Sequence, residues 1–270
     1  MSRRRRRRRD EGTGKGIALI AASVSALALI LGGGAYMALT KRSVDKESGC
    51  LKDGYDTITT VLVDLTDPVT PVQAAAIKNI LMKVRDAVPK YGRLEVYPLE
   101  PVATKTIAPL FAACSPGTGK DVDSKLYGNP ELADKNFTKK FASKLQEVVE
   151  NLQKLPPQNN SPILEGIQSV AVTSLGTPKS GAAQKHMIII SDLIHHTSQL
   201  SMYQGAPQFQ KFRTTQYYQQ IKPQLLGAKV DFYILARETM RDVQKLPLIN
   251  FWVEYVTASE GQFNGSWPAQ

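Results

Sequence analysis

Thr60-Val61-Leu62-Val63-Asp64-Leu65-Thr66-Asp67-Pro68-Val69-Thr70 is the stretch on which the fold turns. Its apolar head is continuous rather than alternating, the pattern of a strand buried on both faces in a parallel sheet. The run ends at Asp64, and Thr66, Asp67 and Thr70 follow within one short loop. Far along the chain, Met187-Ile188-Ile189-Ile190 repeats the design and runs into Ser191-Asp192. Open α/β sheets bind ligands outside the carboxyl ends of their strands. Two strand ends bearing Asp and hydroxyl groups would therefore offer hard oxygen ligands of the kind Mg²⁺ takes.

Between and beyond these strands the pattern alternates. Pro71 to Val88 has apolar residues four apart (Val72, Ala76, Ile80, Val84, Val88), which predicts a helix, with Pro68 and Pro71 at its tolerant start. Arg93 to Pro98 reads as a short strand, and Thr106 to Ala113 as an edge strand because of Pro109. Residues 115–136 read as a long surface loop. Phe137 to Leu155 is amphipathic, and Pro156-Pro157 breaks it. Ser161 then predicts an N-cap, with Pro162 next and Glu165 shortly after, heading a helix through Ile167 and Val170. A polar aromatic stretch at 199–220 leads to a helix running into Gly227. Val230 to Ala236 follows as a strand and Leu246 to Ala258 as a closing helix. The expected fold class is α/β, a doubly wound, mostly parallel sheet with helices on both faces.

This order of elements resembles the von Willebrand factor A domain over roughly residues 57–258. The family's metal-ion-dependent adhesion site is built from D-x-S-x-S after the first strand, a Thr on a second loop and an Asp after the fourth strand. The resemblance implies Asp64 and Thr66 for the first motif, Ser161 for the second-loop hydroxyl and Asp192 for the last ligand, with Mg²⁺ as cofactor. Asp67, Thr70 and Ser191 are candidate neighbours. The family's second serine falls at Pro68, which has no hydroxyl. The competing reading is that Asp64, Thr66 and Asp67 only cap the helix that follows. The nearest overall resemblance is to membrane-anchored bacterial proteins of this fold, which carry over no activity.

The amino end decides the setting. Net charge is +10, but residues 1–40 hold eight basic and two acidic residues, so the remaining 230 carry only +4. That balance gives the folded part no case for specific nucleic-acid binding. Arg3 to Arg9 are seven consecutive arginines, and Ile17 to Leu39 are 23 residues without a charge. At about 1.5 Å per residue such a helix spans a bilayer core of about 30 Å. Seven arginines before it outweigh Lys41 and Arg42 after it, which predicts a cytoplasmic amino terminus. The expected organisation is a cytoplasmic tail (1–16), a transmembrane helix (17–39), a stalk (40–56), the α/β domain (57–258) and a loose tail (259–270). The expected location is the bacterial inner membrane, with the main domain on the periplasmic side. Two cysteines, Cys50 and Cys114, permit one disulfide in an exported domain.

Function follows from what is present. The expectation is a binding or scaffold module, a subunit of an envelope complex with a protein partner, not an enzyme. Tyr203, Tyr217 and Tyr218 are candidates for the partner surface. The alternative is a haloacid-dehalogenase-like phosphatase with Asp64 as nucleophile and Ser191 after a later strand. That family's second Asp, the general acid, is Thr66 here. Gly117-Thr118-Gly119-Lys120 imitates the end of a phosphate loop, but Asp121 stands where a hydroxyl should meet Mg²⁺. His195 and His196, if helical, would diverge by about 100° and make a poor chelating pair.

Overall fold

The structure, a computed structural model, describes residues 3–40, 42–45, 47–99, 106–122, 128–152, 154 and 156–269. It divides into two units, Met1–Ser43 and Val44–Gln270. The first is one helix, α1 (Arg3–Thr40). Within it Ala18–Tyr36, 19 residues of mean hydropathy 2.0, is long and apolar enough to cross a membrane. Leu19, Val24, Leu29 and Ile30 are all exposed, so the helix is apolar all round rather than on one stripe.

The second unit is a six-stranded sheet made of β1 (Thr57–Val63), β2 (Arg93–Pro98), β3 (Phe111–Cys114), β4 (Gln184–Ser191), β5 (Lys229–Ile234) and β6 (Gln262–Pro268). Their spatial order is β3-β2-β1-β4-β5-β6. Only β3 runs antiparallel to its neighbour. The chain winds one way from β1 to β2 and the other way from β4 to β6. The switch point therefore falls between β1 and β4, where a crevice opens at the carboxyl ends. Register sets both ends level, since Val63 stands opposite Ile190. The Asp64 N–H donates to Ile190 O at 2.8 Å and carries the ladder one step further.

Helices cover both faces: α2 (Pro71–Ala87), α3 (Pro130–Phe137), α4 (Ser143–Leu152), α5 (Ile163–Val170), α6 (Phe209–Phe212), α7 (Gln216–Ile221) and α8 (Leu246–Ala258). Successive strand side chains point to opposite faces. Leu62, Ile189 and Phe232 pack with Ile167 of α5, Ile221 of α7 and Trp252 of α8. Val61, Val63 and Ile188 pack with Leu81 of α2 and Leu145 of α4. Both faces being covered is why the strands read as unbroken apolar runs. A Cβ at Gly166 would lie 2.5 Å from Leu99 Cδ1 and 3.2 Å from Leu62 Cδ2, so a larger residue here requires those buried leucines or α5 to shift.

Cys50 and Cys114 are disulfide-bonded with their Cα atoms 4.9 Å apart, as expected. The Cys114 N–H also donates to Ser48 O at 3.1 Å. The bond fastens the segment before β1 to the edge strand β3.

Several boundaries differ from the sequence reading. Residues 262–268, expected as loose tail, form β6, with Phe263 packed on the core and its neighbours exposed. β3 starts after Pro109, not at Thr106. Part of the loop expected over 115–136 is helical, because Asn129 caps α3 and Pro130 sits at its first turn. Ser161 does not cap α5; Pro162 holds that position, and Ser161 bridges to His196 instead. No helix runs into Gly227, since α7 ends at Ile221 before Pro223. The expected helix end Leu155, the flanking Lys41, residues 123–127 of the expected loop, and Gln270 lie outside the described residues.

Candidate functional site

Asp64 gathers donors from three segments. Its Oδ1 accepts from the Thr66 N–H at 3.1 Å and the Thr66 hydroxyl at 2.7 Å. Its Oδ2 accepts from the Ser161 hydroxyl at 3.1 Å and the Ser191 hydroxyl at 2.6 Å. All four residues are buried. Ser161 is delivered by a two-way backbone bridge with His196, at 2.8 and 2.9 Å. The structure thus brings Asp64, Thr66, Ser161 and Ser191 into one network.

Asp192 faces a different partner. Its Oδ1 accepts from the Ile194 N–H at 2.8 Å. Its Oδ2 accepts from Arg237 Nη1 at 2.9 Å, and the same nitrogen donates to Asp67 Oδ2 at 2.5 Å. Thr70 stands apart from the cluster. Its hydroxyl accepts from the Gln73 N–H, and the Gln73 side chain accepts from the Thr70 N–H, a capping box that starts α2. Helix capping therefore falls to Thr70, not to Asp64, Thr66 or Asp67.

Sequence reasoning missed Arg237. It sits three residues past β5, beside the end of β4, and the signal was the logic already applied to Asp64 and Asp192: a charged residue just beyond a strand's carboxyl end. Its position is tightly specified. The Arg237 N–H donates to Gln244 Oε1 at 2.7 Å, and Gln244 Nε2 donates to Asp192 O at 3.0 Å and Leu235 O at 2.9 Å. Gln73 Nε2 donates to Ala236 O at 2.9 Å. Leu193 adopts a left-handed φ of 63°, uncommon for a leucine, and Trp252 Nε1 holds its carbonyl at 3.0 Å.

Burial, with the Asp64 charge adding to it, pushes Asp192 up to about 7 against the pull of Ile194 and Arg237. Asp67 is raised for the same first reason, opposed by Arg237. Behind the site, burial drives His195 down to about 3, so its imidazole is neutral. The Leu164 N–H approaches His195 Nδ1 at 3.4 Å, and Nε2 lies 3.1 Å from the Tyr217 oxygen. The Tyr217 hydroxyl donates to Glu165 Oε1 at 2.5 Å. The two histidines lie on an extended loop, not on a helix, with His195 fully buried and His196 half-buried. Of the tyrosines considered as partner surface, Tyr218 is buried and Tyr217 is committed to this network. Tyr203 is half-buried against His196, with ring centroids 4.7 Å apart.

Asp64, Asp67, Pro68, Asp192 and Arg237 line a cavity of about 30 Å³ that opens at the exposed Pro68. The oxygen donors are of the kind Mg²⁺ takes, but Mg²⁺ also keeps several waters. Two of the three carboxylates are already bridged by a guanidinium. With Arg237 docked, the set does not fit a divalent ion. Among the described residues, no three His, Cys, Asp or Glu side chains form a metal-holding group. Both oxygens of Asp64 are likewise engaged by donors.

No family model matches the chain, and no curated protein matches it. Among solved structures it is similar to an aerotolerance-related membrane protein from Bacteroides fragilis NCTC 9343, with multiple mutations to serines. Identity is 11%, the match covers 79% of this chain and 92% of that one, and the TM-score is 0.40.

Proposed function

We propose that the chain is a membrane-anchored binding module whose α/β domain lies outside the cytoplasm, acting as a scaffold or a subunit of an envelope-associated complex. The observation that carries this reading is the cluster at the switch point. Carboxylates from two adjacent central strand ends, an arginine from a third and a solvent-facing loop at Pro68 meet where this fold class receives ligands. Oriented charges at a crevice suit recognition of a polar protein surface. Two other features agree with export: the arginine run before an apolar span, and the Cys50–Cys114 bond, which belongs to an oxidising compartment. The partner contacts the mouth directly, through Asp67 and Arg237, both partly exposed.

A photo-crosslinking amino acid placed at Pro68 in intact cells tests this. The control is Leu226, exposed at the opposite end of the strands. A defined adduct is expected from Pro68 and not from Leu226. Equal adducts from both positions, or none from Pro68, would remove the mouth as the docking surface.

A further inference from the structure

We infer that Arg237 is the residue that sets what this site accepts: a tethered cation, docked between Asp67 and Asp192, that makes the face independent of divalent metal. This rests on reading the strand-end cluster as the docking mouth, and it specifies what the mouth presents.

The placement is built rather than incidental. One nitrogen, Nη1, donates to both carboxylates. The backbone leading into Arg237 is clamped by two glutamines from different segments. Gln73 in the first turn of α2 holds the Ala236 carbonyl. Gln244, just before α8, accepts from the Arg237 N–H and donates to the carbonyls of Leu235 and Asp192. Gln244 thus ties the arginine's strand end to the aspartate's strand end. Such a clamp makes the guanidinium position a property of the fold, not of a wandering surface side chain.

The rest of the cluster is arranged to match. Asp64 is satisfied by the hydroxyls of Thr66, Ser161 and Ser191. That leaves Asp67 and Asp192 as the carboxylates turned toward a cation, and Arg237 neutralises one of their two charges. Pro68 supplies no oxygen where another ligand would be wanted. A divalent ion entering the cavity would meet a fixed positive charge already paired with two of the carboxylates. A guanidinium suits this task better than an ammonium, since its planar, permanently charged head presents several donors at fixed angles.

The test is a Mn²⁺ titration of the full chain in mild detergent, read by the electron paramagnetic resonance signal of free Mn²⁺, with Mg²⁺-dependent melting as a second readout. Wild type is expected to leave millimolar Mn²⁺ free and to show no Mg²⁺-dependent rise in Tm. Arg237→Gln is expected to gain a single Mn²⁺ site, about tenfold or more tighter than anything in wild type, and a Tm that rises with Mg²⁺. Wild type binding Mn²⁺ as tightly as Arg237→Gln, or a folded Arg237→Gln that gains no site, overturns the inference. If Arg237→Gln does not fold, Arg237→Lys carries the test. It keeps the charge and is expected to refuse Mn²⁺ as wild type does, and Mn²⁺ binding by it overturns the inference. These measurements use the isolated protein, so their failure is separable from a failure of crosslinking at Pro68.

Discussion

Asp64 accepts four hydrogen bonds from donors that are themselves buried. Removing it strands three hydroxyls and an amide with no acceptor, and each orphaned group costs its desolvation. Asp64→Ala is therefore expected to lower stability by about 2–4 kcal/mol in urea unfolding. A loss below the error of that measurement would mean the donors find other partners. His195 gives a pH signature. Its folded value is about 3 and its ordinary value 6.5, so between these the unfolded chain binds the extra proton. Its contribution to stability falls as pH drops through that window, by up to about 1.4 kcal/mol per pH unit. Asp192 works in the opposite sense. Its folded value of about 7 lies above its ordinary 3.8, so its contribution is lost as pH rises toward 7. His195→Gln removes the first effect alone. Its unfolding free energy should fall less steeply than wild type's from pH 6 to pH 4, in a pair of denaturant series. Parallel slopes would show that His195 titrates normally in the fold. Asp64 and Asp192 stood out in the sequence because each ends an apolar run, whereas Thr66 and Ser161 were implied as site residues by the resemblance to the von Willebrand factor A domain. Arg237 was not, since its partners Asp67 and Asp192 lie in distant segments and only the parallel register of β1, β4 and β5 brings them together.

Helix α5 depends on Gly166 for its closeness to the sheet. Gly166→Val would press a branched side chain against Leu99 and Leu62, where a Cβ alone meets carbon at 2.5 Å. Overpacking of this sort costs about 1–3 kcal/mol. Thermal unfolding should register it as a lowered Tm, and an unchanged Tm would show that the helix shifts freely. Because Ser161 lies just before α5, the same displacement should weaken its 3.1 Å bond to Asp64. The long buried strands and the closing helix were legible, since continuous apolar runs and helical periodicity carry their own signal. β6 was not. Gln262-Phe263-Asn264-Gly265-Ser266-Trp267-Pro268 has two large apolar residues and a glycine, and as an edge strand it buries only part of one face. α3 was hidden inside a polar, glycine-rich composition that reads as loop. Its signal was the Asn129-Pro130 pair, an N-cap followed by a first-turn proline.

The domain as a whole is closed by one covalent link across its sheet edge. Cys50 and Cys114 are 64 positions apart in the chain. In the chain-entropy account, their bond stabilises by about 4 kcal/mol through the unfolded state. Replacing both with serine should therefore lower the denaturant midpoint and, because the uncrosslinked chain unfolds to a more open state, steepen the slope. An unchanged midpoint would show that the loop is already ordered in the unfolded chain. The doubly wound architecture was legible from element order alone, and the even number of cysteines in a chain read as exported permitted their pairing. What the sequence did not reveal is where that bond places its anchor point. Any pull on the chain ahead of Cys50 reaches the sheet by two routes. One passes through residues 51–56 into β1, at the centre of the sheet. The other crosses the disulfide into β3, at its margin. With the bond intact, tension is shared with the rim and the central strand is shielded from being drawn out lengthwise. With the bond reduced, the whole load falls on β1, the strand that ends in Asp64. The oxidation state of one bond thus decides how much of any traction applied ahead of Cys50 is borne by the central strand alone.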